Sequence, residues 1–276
     1  MKTYADISYG SVDGEDFLLD IFAPDGAPKC ALMYLHGGGL ENGSRKGLDD
    51  AAMLLTQNGF GLVSVEYRMF PHAAYPDFLV DSAQAASWLL QNGQYYGLDC
   101  PVCIGGSSAG AYLSMMLCFA KEYLGQFGCK PDDFAGYLFD AGQPTTHFNV
   151  LAHRGMDPRR IVVDAAAPIY HIEDASPKRP MLILAAEHDM PGRLEQNKLL
   201  LATLEHFHYP MELVDFHVMP GYQHCEYDSA RDETGHLVFW EMVVRFLQRV
   251  TQIAGNGFAP TGGPLLRTPA ILQTPD

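Results

Sequence analysis

The stretch Val102-Cys103-Ile104-Gly105-Gly106-Ser107-Ser108-Ala109-Gly110 decides the fold of this chain of 276 residues. It opens with a short apolar run, Val102 to Ile104, which is typical of a buried strand. A helical pattern begins at Ala109 and continues to Tyr123. The few residues between the two patterns predict a sharp strand-to-helix turn with a serine at its tip.

Two glycines surround one of the serines in this turn. Gly106 and Gly110 flank Ser108 in the pattern G-x-S-x-G, and glycine has no Cβ atom to clash where the chain doubles back. The strained turn would lift the Ser108 hydroxyl clear of the sheet, where a base could reach it. Ser107 fits only a poorer register, in which alanine replaces the second glycine. Ser108 is therefore the candidate nucleophile.

The same alternation of strand-like and helical patterns runs along most of the chain. It follows a predicted hairpin formed by Ile7 to Tyr9 and Asp16 to Phe22, with Asp13-Gly14 at the turn. The predicted strands are Cys30 to Leu35, Gly61 to Val65, Val102 to Ile104, Gly136 to Phe139, Met181 to Ala185 and Glu212 to Val218. The predicted helices are Gly47 to Asn58, Asp77 to Gln91, Ala109 to Tyr123, Leu194 to His206 and Ser229 to Ile253. Apolar strands that alternate with helices predict an α/β fold, with a mostly parallel sheet covered on both faces.

One α/β domain is expected over residues 1–254, because α/β folds of this length are often single. Residues 142–176 interrupt the alternation with three prolines, and they predict a short cover above the sheet. Residues 255–276 contain four glycines, four prolines and almost no charge, which predicts a flexible tail.

The charge balance limits the partners. The chain has 18 basic and 33 acidic residues, a formal net charge of −15, which argues against nucleic acid and anionic membranes. No apolar run approaches the roughly 20 residues that span a bilayer, and the first residues lead into no apolar signal segment. A cytoplasmic protein is expected. The sequence leaves the oligomeric state open, a homo-oligomer included.

Six cysteines are spaced irregularly along the chain. Cys100 and Cys103 have C-x-x-C spacing, but no second pair completes a zinc site. The cysteines are therefore expected to be reduced thiols that partly pack in the core, with no metal site.

The tetrapeptide His36-Gly37-Gly38-Gly39 directly follows a predicted strand. Its glycines allow backbone N–H groups to face a cavity, and such groups stabilise the negative charge that develops on a carbonyl oxygen during acyl transfer. Gly38 and Gly39 are the candidate donors, together with the N–H of Ala109 at the positive end of the helix after Ser108. His36 is expected to orient this loop by hydrogen bonding.

A serine hydroxyl needs a base to become a good nucleophile. His224 stands in a loop after the last predicted strand and before the last predicted helix, which suits a base at the carboxyl edge of the sheet. Asp189 falls where the preceding strand gives way to a loop, and its carboxylate would hold the His224 ring in the productive tautomer.

Other residues compete for these roles. Glu187 ends the same strand as Asp189, and Asp140 follows an earlier strand. His217 lies within a predicted strand and is expected to pack against a sheet face, while His188 precedes the better acid candidate. Three further histidines lie in predicted loops and are expected to have surface or hydrogen-bonded roles: His72, His147 and His171.

At these residues the chain resembles the hormone-sensitive-lipase-like branch of the α/β-hydrolases, often called fold-3 or acetyl-esterase-like. The matching residues are His36-Gly37-Gly38-Gly39, Tyr67-Arg68 with Pro71 and Pro76, Asp81, Gly106 to Gly110, Asp189 and His224. The chain order Ser108, Asp189, His224 is also that of α/β-hydrolases. The resemblance covers about residues 15–250, and it implies an eight-stranded, mostly parallel sheet and no cofactor.

The chain departs from the family's pattern at three places. Asp189-Met190-Pro191 replaces Asp-Pro-Leu, and His224-Cys225-Glu226 replaces His-Gly-Phe. His72 stands where the family usually has Glu. The glycine loop begins at residue 36, which predicts a reduced or absent N-terminal cap and a more open site than in larger relatives.

The leading hypothesis is a serine carboxylesterase that hydrolyses short-chain, acetyl-like esters or small aromatic esters through an acyl-enzyme. Its partner would be a small-molecule ester, with Phe70, Tyr75 and Phe148 near the site. The same three catalytic groups could cleave an amide, as in an arylformamidase or a small peptidase. A catalytically silent binding protein is the alternative from another class, although such proteins typically lose one of the three groups.

Overall fold

The computed structural model describes residues 1–255, and they form one eight-stranded sheet covered by helices. The strands are β1 (Lys2–Val12), β2 (Glu15–Ala23), β3 (Cys30–Leu35), β4 (Phe60–Val65), β5 (Val102–Ser107), β6 (Gly136–Asp140), β7 (Met181–His188) and β8 (Val214–Gln223). Their order across the sheet is β1-β2-β4-β3-β5-β6-β7-β8. The pairs β1–β2 and β2–β4 are antiparallel and the other pairs are parallel. The predicted mostly parallel α/β sheet is confirmed.

In the part of the chain that the structure describes, seven α-helices pack around the sheet. They are α1 (Asp49–Gln57), α2 (Asp77–Asn92), α3 (Ala109–Phe119), α4 (Lys121–Gly125), α5 (Phe148–His153), α6 (Arg193–His206) and α7 (Val238–Gly255). Buried residues of α2, α3 and α6 join one apolar cluster, and those of α1 and α7 join a second. Successive residues of β3, Leu32 and Met33, enter different clusters because side chains alternate between the faces of a strand. Both faces of the central strands are therefore buried.

The helix predicted from Ala109 to Tyr123 is broken. The backbone of Ala120 leaves the helical region, with φ −93° and ψ 81°, and α4 begins at the next residue. The break turns α4 onto α2, where Tyr123 and Leu124 become buried. Burial of these two side chains favours the bend over a continuous helix.

The last helix begins nine residues later than predicted, at Val238 rather than Ser229. The Asp232 carboxylate accepts hydrogen bonds from the N–H groups of Thr234 and His236, and Gly235 is left-handed at φ 86°. This turn chemistry competes with a helix over the same residues. Of the tail predicted over residues 255–276, Gly255 is the last residue of α7, and the others lie outside the described residues.

His217 is exposed on β8, so the expectation that it packs against a sheet face is wrong. Within the described residues β8 pairs only with β7, which makes it an edge strand with less cover. The loop histidines differ among themselves, since His72 is exposed whereas His147 is buried. No helix in residues 1–255 has the length and apolar character needed to cross a bilayer.

The segment between β6 and β7 lies outside the alternating pattern, as its prolines predict. It contains α5 and a single turn of 3-10 helix at Pro168–His171. The hydroxyl of Tyr112 on α3 donates a hydrogen bond to the Ala166 carbonyl at 2.8 Å, which fastens the segment to the helix that follows the serine turn. This segment, residues 142–176, is called the cover below.

Candidate active site

Ser108 occupies a strained turn between β5 and α3. Its backbone angles are φ 54° and ψ −112°, in the left-handed region that a non-glycine residue rarely adopts. A Cβ atom on Gly106 would lie 2.3 Å from the Leu35 carbonyl oxygen, and one on Gly110 would lie 1.9 Å from the same atom. Glycine is therefore required on both sides of Ser108, because β3 ends directly against the turn.

The three candidate catalytic residues predicted from the sequence lie together in the structure. The Nε2 atom of His224 lies 2.8 Å from the Ser108 hydroxyl oxygen. The Nδ1 atom of the same ring lies 2.6 Å from Oδ1 of Asp189. His224 follows β8 and Asp189 follows β7, so both come from loops at the carboxyl ends of neighbouring parallel strands. The serine, imidazole and carboxylate form a continuous hydrogen-bonded chain.

Burial and backbone contacts fix the Asp189 carboxylate. Its side chain is 1% exposed, whereas the His224 ring is 24% exposed. The N–H groups of Met190 and Ala186 donate to the carboxylate at 2.7 and 3.3 Å. The Asp189 carboxylate is thus held in place by backbone N–H groups, while the His224 imidazole faces the cleft.

The rival residues have other partners. The Ser107 side chain is buried and accepts a hydrogen bond from the Tyr34 hydroxyl at 2.8 Å. Glu187 accepts the N–H of Gly221 at 2.8 Å. Asp140 is fully buried and accepts the hydroxyl of Tyr227 at 2.5 Å. His188 is exposed beside Glu187, and it does not approach Ser108.

Two carbonyl groups of the glycine loop accept hydrogen bonds, and these bonds fix the directions of the neighbouring backbone N–H groups. Nδ1 of His36 lies 2.7 Å from the Gly37 carbonyl, and the Gly38 carbonyl accepts the N–H groups of Glu41 and Asn42 at 3.2 and 3.0 Å. In a trans peptide the C=O and N–H point in opposite directions. Each held carbonyl therefore fixes the N–H of the following glycine, Gly38 or Gly39, so that it points away from the group that holds the carbonyl.

Three N–H groups remain available for a ligand. In residues 1–255, the backbone N–H groups of Gly38, Gly39 and Ala109 donate to no other protein group. Gly38 and Gly39 have φ values of 108° and 68°, and a Cβ on Gly38 would lie 1.9 Å from the Asn42 carbonyl oxygen. The loop conformation is thus available only to glycine at Gly38.

His36 anchors this loop to the sheet. Its Nε2 lies 3.2 Å from the Glu66 carboxylate, and its ring stacks on Tyr67 with the ring centroids 4.4 Å apart. The Tyr67 hydroxyl donates to the His36 carbonyl at 2.8 Å. The described hydrogen bonds of His36 join it to Gly37, Glu66 and Tyr67, which is consistent with an orienting role.

A cleft of about 440 Å³ opens above Ser108. The glycine loop and His224 line it, and Phe148, Met190 and Leu48 supply apolar surface. Phe148 therefore lies where the sequence suggested an aromatic residue. Phe70 and Tyr75 are not part of the cleft wall: Phe70 stacks on His153, and the Tyr75 hydroxyl bonds to Tyr123.

Sequence reasoning missed a half-buried carboxyl group, that of Asp228, which lies beside the buried Asp140. Asp228 lines the cleft, and one of its carboxyl oxygens comes within 4.8 Å of one on Asp140. Burial raises the pKa of Asp140. Burial and then the charge of Asp140 raise the pKa of Asp228 well above its usual value. Asp228 follows His224 by four residues, but no local pattern marks it.

Asp140, Cys225 and Asp228 form the one described group of side chains close enough to hold a metal ion. Burial raises the pKa of the Cys225 thiol, and Asp140 is already engaged by the Tyr227 hydroxyl. These conditions favour protonated groups over metal ligands. Cys103 packs against Cys30, with the sulfurs 3.6 Å apart, and both Cys100 and Cys103 are free thiols.

A BD-FAE family model matches residues 19–136, which include the glycine loop and Ser108. An ethyl acetate hydrolase of Pseudomonas putida is 29% identical over 119 residues, which cover 41% of this chain and 37% of that protein. The chain therefore spans little more than a third of the length of that curated relative.

Solved structures resemble the fold over nearly its whole length. A truncated form of a carbohydrate esterase from gut microbiota has a TM-score of 0.73 at 17% identity, covering 91% of this chain and 97% of that one. The propionate-bound esterase 2 of Thermogutta terrifontis has a TM-score of 0.69 at 20% identity, covering 93% and 96%. With the sheet order, these likenesses show that the chain has an α/β-hydrolase fold, and its motifs resemble those of the hormone-sensitive-lipase-like esterase branch.

Proposed function

We propose that the protein is a serine carboxylesterase. The observation that carries the proposal is the chain of contacts from Asp189 through His224 to the Ser108 hydroxyl, at 2.6 and 2.8 Å. These three side chains lie beside three backbone N–H groups that donate to no other described protein group. A nucleophile, a base, an orienting acid and oxyanion donors are the parts that acyl transfer requires.

In this mechanism Ser108 attacks the ester carbonyl while Nε2 of His224 takes the hydroxyl proton. The Asp189 carboxylate accepts the Nδ1–H and stabilises the imidazolium that forms. The carbonyl oxygen becomes an anion, which the N–H groups of Gly38, Gly39 and Ala109 stabilise by several kcal/mol. The intermediate then collapses, and His224 returns the proton to the departing alcohol.

The second half of the reaction repeats these steps with water. His224 removes a proton from a water molecule, which attacks the acyl-enzyme carbonyl, and the same N–H groups hold the second oxyanion. Collapse of that intermediate releases the acid, and the proton on Nε2 returns to Ser108. No cofactor is needed at any step.

The proposed substrates are esters of short acyl groups or small aromatic esters. The cleft of about 440 Å³ is small, and its apolar lining includes Phe148 from the cover and Met190 from the loop after β7. One similar protein is named an ethyl acetate hydrolase, and one similar esterase structure has propionate bound. Both findings support a small acyl group here.

The test is release of p-nitrophenol from p-nitrophenyl acetate, together with labelling by paraoxon. Wild-type protein should turn over the ester, and mass spectrometry should find the phosphoryl adduct on the peptide that contains Ser108. Ser108→Ala should lose both, since it removes the nucleophile. Ser107→Ala is the matched control and should keep most activity.

Two outcomes would contradict the proposal. If Ser108→Ala kept more than a few per cent of activity while Ser107→Ala lost it, the nucleophile would be the other serine. If wild-type protein hydrolysed p-nitroanilide or N-formyl aromatic amides faster than the matching esters, the enzyme would be an amidase on the same site.

A further inference from the structure

The cover contacts the glycine loop through two side chains of α5. The Nδ2 group of Asn149 donates a hydrogen bond to the Gly39 carbonyl at 2.7 Å. The Nε2 atom of His153 lies 3.0 Å from the Glu41 carboxylate. The partners are 110 and 112 residues apart in the chain. The loop that would bind the oxyanion is therefore held from above as well as from the sheet.

The Asn149 contact acts on the peptide that follows Gly39. The peptide before it is fixed by the turn, because Glu41 and Asn42 hold the Gly38 carbonyl. Within residues 1–255 the Gly39 carbonyl accepts a hydrogen bond from Asn149 alone. Glycine changes its backbone angles at little cost. The Gly39–Leu40 peptide is the centre of the turn that Glu41 closes on the Gly38 carbonyl, and Gly39 and Leu40 have φ values of 68° and 67°. Without Asn149 this central peptide would be free to flip, which would disturb the turn and with it the Gly38–Gly39 peptide that carries the Gly39 N–H.

The backbone of Asn149 is itself held by a neighbouring side chain. Its backbone N–H donates to Nδ1 of His147 at 3.2 Å, and that ring is buried against Phe148 with the centroids 4.4 Å apart. A Cβ placed on Gly39 would lie 3.0 Å from Nδ2 of Asn149 and 3.9 Å from the tip of the Phe148 ring. The Asn149 side chain is therefore in close contact with the loop at Gly39.

We propose that Asn149 is a positioning residue: it holds the Gly39–Leu40 peptide at the centre of the turn that fixes the Gly38 carbonyl, and so keeps the Gly39 N–H aimed at the oxyanion. The cover would then complete the oxyanion hole and not merely roof the cleft. This inference rests on the proposed esterase function. Asn149 acts through Gly39, since it does not line the cleft.

The experiment compares Asn149→Ala and Asn149→Asp with wild-type protein on p-nitrophenyl acetate. Direct loss of one oxyanion donor costs about 10²–10³ in kcat, so misalignment of one should cost about tenfold. We expect Asn149→Ala to lower kcat by about that factor with KM within threefold. Asn149→Asp should fall further, because its carboxylate would repel the Gly39 carbonyl. Affinity for a trifluoromethyl ketone, which forms the tetrahedral oxyanion, should fall in step with kcat.

The matched control is Glu41→Ala, which removes the other contact between α5 and the same loop. Its kcat should stay within threefold of wild type. Hydrogen exchange of the peptide spanning residues 36–43 gives a readout independent of activity, and exchange should be faster in Asn149→Ala. If the alanine variant does not fold, Asn149→Ser carries the same comparison, since its short side chain cannot reach Gly39.

The outcomes separate this proposal from the function on which it rests. Wild-type kcat in all Asn149 variants would overturn the positioning role and leave the esterase proposal intact. Equal losses in Asn149→Ala and Glu41→Ala would also overturn it, because general attachment of α5 would explain both. If wild-type protein hydrolysed no ester, the esterase proposal would fail, and unchanged hydrogen exchange would then reject the Asn149 contact as a restraint.

Discussion

The carbonyl oxygen of Leu35 lies 1.9 Å from the position that a Cβ atom on Gly110 would occupy. The end of β3 and the first turn of α3 are thus in backbone contact across the serine turn. The glycine loop starts at the residue after Leu35, so the two halves of the site are built against each other.

Gly110→Ala should destabilise the protein by about 1–3 kcal/mol, the usual cost of forcing a methyl group into a packed site. The neighbour is a backbone carbonyl that cannot rotate away. Chemical denaturation followed by circular dichroism measures the effect. Gly125→Ala is the control, because a Cβ there meets nothing within 4 Å. Similar unfolding midpoints for the two variants would show that the turn has room to relax.

Asp189→Asn should reduce kcat for p-nitrophenyl acetate by about 10³- to 10⁴-fold, since the amide would favour the wrong His224 tautomer. The variant should fold normally, because the amide keeps the size of the side chain. Steady-state kinetics checks this, with Glu187→Gln as control. Near-normal turnover in Asp189→Asn, combined with a large loss in Glu187→Gln or Asp140→Asn, would transfer the acid role.

Acetyl and butyryl esters should be better substrates than esters of ten or more carbons. Burial of each methylene contributes only about 0.8 kcal/mol, and a cleft of about 440 Å³ has little volume for a long acyl chain. The measurement is kcat/KM for p-nitrophenyl esters of two to twelve carbons. Phe148→Ala should move the optimum to longer chains. A wild-type maximum at eight carbons or more would reveal an acyl tunnel that the cleft does not suggest.

Asp228→Asn should stabilise the protein increasingly as the pH rises. Burial, and then the charge of Asp140, raise the pKa of Asp228, so the folded state keeps a proton that the unfolded chain releases. The associated stability is full below the unfolded pKa of about 3.9 and is lost as the pH rises through the folded pKa. Asparagine does not titrate and can donate to Asp140 in place of the proton.

Melting temperatures from pH 4 to pH 8 test this prediction. The gap between Asp228→Asn and wild type should widen with pH by about 2–4 °C for each kcal/mol recovered. The exposed control Asp16→Asn should give a gap that does not change with pH. A constant gap for Asp228→Asn would mean that Asp228 titrates normally in the folded protein.

The sequence could predict the sheet and the neighbourhood of Ser108, Asp189 and His224 for one physical reason. Each residue follows a short apolar strand, and parallel strands bring their carboxyl ends to one edge. Asn149 and Asp228 could not be predicted in this way. Asn149 meets Gly39 only because the cover folds back over the sheet, and Asp228 meets Asp140 from the 3-10 turn Glu226–Asp228, which follows Cys225 at a left-handed φ of 55°.

The position of β8 affects the order in which parts of the site are lost during partial unfolding. Ser108 follows β5, which is hydrogen-bonded on both sides by β3 and β6, whereas His224 follows β8, which is paired on one side only within residues 1–255. Partial opening of a protein begins where strands have fewest neighbours. Under mild denaturant, the base should detach while the nucleophile remains in place. Loss of turnover should then precede loss of the circular dichroism signal, with the serine turn still folded in the inactive protein.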